Sequence, residues 1–380
     1  MIYVTDVASV DVQHEQFNRS FLQLLPIAYP QEQIQFYGEA THIQNLDSDT
    51  RNIAFNQIPV YNKRGGLKEF IRAYHQFKAL SKVIQLARKN RAKLVVVLLI
   101  HPLAHFLFKL FGSKKVAVSI VMHGELESVK FNKHFLNKIW GFFQKIALTK
   151  VSPNVSYIIL GQSIYKNLIN VLPEFSKQSA VVLDHPYPFT SQTKSEKDFN
   201  FLTFATLGVA TKAKNTHYFF NLAEESNKKG LPYKFNICGR VYKNMLPYLN
   251  AFVNYKKDFG SFTRKELDSL IRESHFTVFY YENSDYSLCA SGSFWDTVNA
   301  EIPLLFVRND YFNFYTSIAG QVGYSFETPE ELNAFILNAD KDELIKGDDY
   351  PMFVANIRKL KYEYMGAENL AYQLKSLIKG

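Results

Sequence analysis

Three small residues, Ser291, Gly292 and Ser293, stand between a β-branched and aromatic run, Phe276 to Tyr281, and a short helical pattern, Phe294 to Ala300. The order reads as strand, glycine loop and helix start. The first amides of a helix lack internal partners and carry the positive end of its dipole, so a loop without bulky side chains lets an anion approach them. Phosphate is the natural guest. Asp296, about one turn into the helix, can accept hydrogen bonds from sugar hydroxyls beside that phosphate. Taken alone, Ser291 reads as an ordinary N-cap.

Two further loops carry matching chemistry. Gly208 to Asn215 supplies a glycine for a tight turn and two cations, Lys212 and Lys214, that can reach a diphosphate as point charges. Gly239 and Arg240 end a second strand, Phe235 to Cys238. Loops that follow the strands of one parallel sheet emerge on one edge, so a cationic loop, an open helix start and a hydroxyl-accepting carboxylate converge into a candidate nucleotide-sugar site. In the first half of the chain the strand Val116 to Met122 ends in His123 and Glu125. Both fall at a strand's carboxyl end, where either could deprotonate an acceptor hydroxyl. A satisfied structural histidine and a helix-capping or solvated glutamate account for the same two residues.

The elements that must position these groups alternate strand and helix. Met1 to Asp6, residues 33 to 37 and 52 to 60, Leu94 to Ile100, Val116 to Met122, Tyr157 to Leu160 and Val181 to Leu183 read as strands. Helices are expected at 13 to 25, 67 to 89, from His101-Pro102, and at 162 to 171. This rhythm predicts an α/β protein with parallel, doubly wound sheets. The polar stretch Thr190 to Asn200 breaks it and reads as an interdomain linker, after which Phe201 to Leu207 opens a second sheet. Ser261 or Thr263 is expected to cap a helix over Arg264 to Glu273, a further helix is expected from Glu327, and the tail from Pro351 to Lys379 is helical in pattern.

Composition narrows the function classes. At 380 residues and 47% hydrophobic content, with 33 Phe and 23 Tyr, the chain has material for two cores. Its two cysteines, Cys238 and Cys289, argue against a disulfide framework and for a reducing compartment. No metal-ligand cluster appears among the 10 His, so no metal is expected. The amino terminus reads as a strand rather than a signal peptide, and no run approaches the roughly 20 residues of a spanning helix, so a cytoplasmic location is expected. The formal charge of +9 points to an anionic partner. Nucleic acid is not expected, because no reading helix or stacking module accompanies the charge. Residues 131 to 150 mix Phe135, Leu136, Trp140, Phe142 and Phe143 with Lys133, Lys138, Lys145 and Lys150. This pattern fits an interfacial helix on anionic lipid, and equally a packed helix with snorkelling lysines.

Gly208 and Lys214 at six-residue spacing, the glycine loop at 291 to 293, and Asp296-Thr-Val-Asn-Ala-Glu-Ile-Pro303 resemble the donor half of the GT-B glycosyltransferases. The likeness is to the retaining class that uses nucleotide sugars, family 4-like. Phe259 to Leu267 and Gly323 to Leu332 resemble the segments flanking the base and following the donor site. The resemblance implies two Rossmann-like domains facing a cleft: an acceptor domain over 1–189, a donor domain over 190–360, and a last helix, 361–380, crossing back to the first domain. It implies that Lys214 binds the diphosphate, that residues 291 to 293 present amides to it, that Asp296 holds the ribose, and that His123 faces the transferred sugar. Three positions depart from the pattern. Leu288 stands where the class carries a second acid, Val209 where an arginine is common, and Glu301 where glycine precedes the proline. Lys212 or Arg240 could supply the missing charge.

The expected function is therefore hexosyl transfer from a nucleoside-diphosphate sugar to a saccharide or lipid-linked acceptor, in surface polysaccharide or glycan assembly. No cofactor beyond the donor is expected, and residues 131–150 are a possible contact with an anionic membrane. A nucleotide-sugar epimerase or hydrolase of the same fold, and a non-catalytic nucleotide-sugar binder, are the alternatives.

Overall fold

The computed structural model describes residues 1–46, 52–130, 135–191, 197–198, 200–283 and 286–377. The chain divides into two compact units. The first comprises Met1–Pro188, the short segment Leu288–Ala290 and the tail from Met365. The second comprises Phe189–Ser287 and Ser291–Tyr364.

Unit one alternates β1 (Ile2–Asp6), α1 (Glu15–Ala28), β2 (Ile34–Gly38), α2 (Ala40–Leu46), β3 (Ile53–Gln57), α3 (Lys68–Lys89) and β4 (Leu94–Leu99). It continues through α4 (Pro102–Phe111), β5 (Val118–Met122), α5 (Phe135–Thr149), β6 (Val155–Ile159), α6 (Gln162–Val171) and β7 (Ser179–Val182). Every described strand pair is parallel, in the order β3-β2-β1-β4-β5-β6-β7. A parallel sheet is covered on both faces, so its central strands must be apolar throughout. The all-apolar Leu94–Leu99 run meets that demand, with Leu94 to Leu98 fully buried. His101 caps α4 by accepting the Leu103 amide at 3.2 Å, and Pro102 fills the first helical turn, where its missing N–H costs nothing.

Unit two runs β8 (Leu202–Leu207), α7 (His217–Lys228), β9 (Tyr233–Cys238), β10 (Val253–Asn254), α8 (Arg264–Arg272), β11 (Phe276–Phe279) and α9 (Gly292–Ala300). It continues as β12 (Leu304–Val307), α10 (Asp310–Ala319), β13 (Gly323–Phe326), α11 (Pro329–Asn338), α12 (Lys341–Lys346) and α13 (Asp349–Lys359). The described strands order as β10-β9-β8-β11-β12-β13, again parallel. Phe204, Phe219, Phe220, Phe235 and Phe276 fill this core, each worth about 1.5–3 kcal/mol of burial. The chain order reverses between β8 and β11. Loops at the carboxyl ends of those two strands therefore border a crevice, the usual ligand position in such sheets.

Several expectations are refined. Thr263, not Ser261, caps α8, in a reciprocal capping box with Glu266. The helix after the glycine loop starts at Gly292 rather than Phe294, because Ser291 caps it. The tail is not one helix: a π-helical turn, Leu360–Tyr364, follows α13, and α14 (Ala367–Leu374) begins after Gly366. α14 packs on α1, where Tyr29 hydrogen-bonds the Leu374 carbonyl. Thr190, read as linker, is already anchored in unit two, its amide donating to Asn299 Oδ1 at 2.9 Å. Residues 192–196 and 199 of that linker, Asp285 and Lys133 lie outside the described residues.

Candidate active site

Gly208 holds φ +81°, a value that L side chains rarely adopt, and this turns the chain at the end of β8. A Cβ on Gly208 would meet Ser293 Oγ at 2.4 Å and Lys214 Nζ at 3.5 Å. Three of the residues read from the sequence therefore meet at one point. The loop is braced from beneath: Gly208 N–H donates to the Cys238 carbonyl, and a Cβ on Gly239 would stand 1.8 Å from Gly208 O. Only glycine at 239 lets the β8 and β9 loops approach this closely.

Lys214 reaches the crevice because Thr211 accepts its backbone amide and closes a tight turn, with Asn215 in the left-handed region just after it. Its ammonium donates to the Tyr281 hydroxyl at 3.3 Å and sits 4.9 Å from that ring and 6.0 Å from the Tyr286 ring. Tyr281 in turn donates to the Leu207 carbonyl at 3.2 Å. The lysine is thus held by an aromatic wall without a carboxylate partner at that contact. Across the crevice, Ser291 caps α9 with its own hydroxyl, accepting Phe294 N–H at 3.1 Å. The capping role and the anion role are compatible, since the cap leaves the Gly292 and Ser293 amides without an acceptor among the described residues. Nothing beyond its chain neighbours and its own helix lies within 4 Å of where a Gly292 Cβ would stand. One ammonium, two helix amides and the Ser293 hydroxyl make a donor set suited to phosphate oxygens.

Asp296 has a partner that sequence reasoning missed. Arg264, the first residue of α8, donates to its Oδ1 at 2.7 Å and also bonds Asp268 at 2.8 Å. The Thr263–Glu266 capping spacing, which fixes where α8 starts, was the signal that could have found it. Asp296, Asp268, Arg272, Thr190 and Asn299 line a recess of about 20 Å³ between α8 and α9. The other two cations of these loops lie near aromatic rings. Lys212 Nζ lies 5.7 Å from the Tyr248 ring, and the Arg240 guanidinium lies 5.5 Å from the Tyr242 ring, although the Arg240 backbone pairs with Ala210.

Two of the three departures from the GT-B pattern, Glu301 and Leu288, have local structural answers. Glu301 ends α9 at φ 58°, the left-handed conformation for which glycine is the cheap choice. Its carboxylate is bound by Arg358 at 2.6 Å and by Lys361 at 3.1 Å. The fully buried Lys361 ammonium also donates to the Thr190 and Asn299 carbonyls, each at 2.8 Å. Leu288 is fully buried and groups with unit one, where Glu127 accepts its amide.

In unit one, His123 follows β5 and is 8% exposed. Burial pushes its imidazole well below the ordinary value, with His14 and His185 adding repulsion. Its Nε2 is buried and has no partner among the described residues. His14 stands 5.2 Å from His123 between ring centroids, and Phe17 stacks edgewise on His123 at 4.4 Å and on His185 at 5.2 Å. His14, on the β1–α1 loop, was not legible as a neighbour. Glu125 turns back to accept the His123 amide at 2.9 Å, and burial raises its carboxyl to about 7. A carboxyl titrating near neutrality is matched to proton transfer. Among the described residues no group of three or more His, Cys, Asp or Glu could hold a metal ion.

No protein-family profile matches the chain, and no curated protein matches it in sequence. Solved structures do. TarM aligns with 100% of this chain and 99% of its own at 10% identity, with a TM-score of 0.65. The sucrose-phosphate synthase of Thermosynechococcus elongatus aligns with 100% of this chain and 95% of its own at 12% identity, also at 0.65. An S. aureus TarM mutant in complex with fondaparinux, alpha-GlcNAc-glycerol and UDP aligns with 80% of this chain at 13% identity and 0.57. This chain spans 59% of the length of that one. Two parallel-sheet units, together with alignment over the whole chain to such structures at these scores, give the chain the GT-B fold.

Proposed function

We propose that the chain transfers a hexosyl group from a nucleoside-diphosphate sugar to a saccharide or lipid-linked acceptor, in surface polysaccharide or glycan assembly on the cytoplasmic side of a membrane. The observation that carries the reading is the meeting of Gly208, Lys214 and Ser293 with the open start of α9, at the point where the strand order of unit two reverses. The UDP bound in the TarM mutant supports a nucleotide donor.

In this reading the bond between the anomeric carbon and the diphosphate oxygen breaks, and negative charge grows on the departing phosphate. Lys214 Nζ and the Gly292 and Ser293 amides stabilise that charge more in the transition state than before it. Asp296, oriented by Arg264, receives the ribose hydroxyls. The acceptor oxygen forms the new bond to the anomeric carbon. Its proton passes to Glu125 if the reaction inverts, or to the departing phosphate oxygen if it retains. His123 offers Nε2 to a hydroxyl of the transferred sugar. Lys212 and Arg240 serve as outlying cations that attract the donor.

The test is nucleotide release from a panel of nucleoside-diphosphate sugars, with and without saccharide and lipid-linked acceptors. Acceptor-dependent release is expected. Release or isomerisation without any acceptor would assign an epimerase or hydrolase, and binding without turnover a nucleotide-sugar binder. Absence of thermal stabilisation by every nucleoside diphosphate would refute the donor site itself.

A further inference from the structure

Positive charge is not spread evenly along the chain. Between Phe70 and Pro173 stand sixteen Lys and Arg against two acidic residues, Glu125 and Glu127. That surplus of fourteen exceeds the +9 of the whole protein, so the rest of the sequence is net acidic. The same stretch holds α4, α5 and nearly all of α3.

These three helices share a surface. α4 packs against both α3 and α5. Phe70 of α3 meets Trp140 of α5 at 5.0 Å between ring centroids, and Phe106 of α4 meets Phe143 of α5 at 5.0 Å. Around those contacts large apolar side chains face outward: Phe135 is 75% exposed, Phe111 71%, Phe142 60% and Tyr74 56%. On α5 the exposed positions Phe135, Lys138, Phe142 and Lys145 follow one another at three- and four-residue steps, so apolar and cationic groups alternate along one stripe. Lys114 and Lys115, just beyond Phe111, are exposed as well.

We propose that this three-helix face docks on an anionic lipid bilayer, with Phe111, Phe135, Phe142 and Tyr74 entering the headgroup and acyl boundary and the lysines meeting the lipid phosphates. The proposal deepens the reading of a membrane-borne acceptor and does not depend on donor chemistry. Exposed phenylalanine interleaved with lysine is the composition of an interfacial helix. A protein partner would favour few lysines at the centre of the contact, since their desolvation is unrewarded there. A nucleic acid would use the lysines and leave the outward aliphatic groups, Leu67 and Ile71, without a role.

The full chain is sedimented with phosphatidylcholine vesicles, with and without phosphatidylglycerol, at low and high salt. Binding is expected only where the anionic lipid is present, and weaker at high salt. Each basic residue at such a surface contributes about fivefold in partitioning. Lys138→Glu with Lys145→Glu should therefore cost on the order of 25-fold or more. Phe111→Ser with Phe142→Ser should release the protein while leaving its melting temperature and its binding of nucleoside diphosphate unchanged. Those two readouts separate this proposal from the donor reading. Equal binding to neutral vesicles, or unchanged binding by both folded variants, would overturn it. So would displacement from vesicles by a duplex oligonucleotide, which assigns the face to nucleic acid, or a variant-sensitive dimer that ignores vesicles, which assigns it to a second copy.

Discussion

Replacing Lys214 by alanine isolates the diphosphate component of donor binding. The Lys214 ammonium stands 3.5 Å from the position of a Gly208 Cβ, which is itself 2.4 Å from Ser293 Oγ, so a phosphate seated over Gly208 would contact all three. A hydrogen bond to a charged group contributes about 1.5–3 kcal/mol, which predicts a loss of roughly 10- to 150-fold in nucleoside diphosphate affinity for Lys214→Ala. The protein itself should lose little: the side chain is half-buried, and a cation–π contact such as the one on Tyr281 is worth about 0.5–1 kcal/mol. Calorimetric titration with a nucleoside and with its diphosphate measures the contrast directly. The nucleoside should bind as before. Lys214→Arg should recover part of the loss, because it keeps the charge but brings a larger planar head between Tyr281 and Tyr286. Equal loss for nucleoside and diphosphate would show that Lys214 shapes the pocket rather than binding phosphate, and the assignment would fail.

Two further outcomes follow from charges held in unusual settings. Glu301→Gly relieves a left-handed backbone worth about 1–2 kcal/mol, but strips the buried Lys361 of its carboxylate, a loss of about 3–5 kcal/mol; denaturant unfolding should show net destabilisation of about 1–4 kcal/mol. A net gain would mean that the Thr190 and Asn299 carbonyls suffice for the ammonium. Glu125, raised from 4.5 to about 7, favours its protonated form in the folded state, so the stability it contributes is present below pH 4.5 and is lost as pH rises through 7. Relative to Glu125→Gln, the parent protein should lose up to about 3 kcal/mol across that window, and a flat difference between the two would refute the shift.

The periodic signals carried most of the fold. Strands buried on both faces, such as Leu94–Leu99, were plain from apolar runs, and α3 from its spacing. α10 was not read as an element. Tyr311, Phe312, Phe314 and Tyr315 have strand-like intrinsic preference, and the helix rests on tertiary contacts such as Trp295 against Tyr315 at 4.7 Å between centroids. In the site, glycine and small-residue loops marked the cradle because backbone approach leaves a sequence trace. Lys214 and Lys212 were alike in residue type, and only the resemblance in spacing from Gly208 singled out Lys214. Their separation came from the turn that Thr211 closes, which aims one ammonium at Tyr281 and the other toward Tyr248. His14 was invisible because contacts across elements have no fixed spacing.

The division of the chain also bears on how the protein is made. Unit two ends at Tyr364, whereas unit one needs α14, which reaches it only after the whole of unit two has been synthesised. Domains commonly fold as they leave the ribosome, in order of completion. Here that order inverts. The second unit can close around Lys361 and Thr190 as soon as residue 364 is free, while the first waits with the α1 surface around Tyr29 uncovered. The earlier-born half is the later to finish, and until α14 docks the α1 face that it covers stays open to solvent.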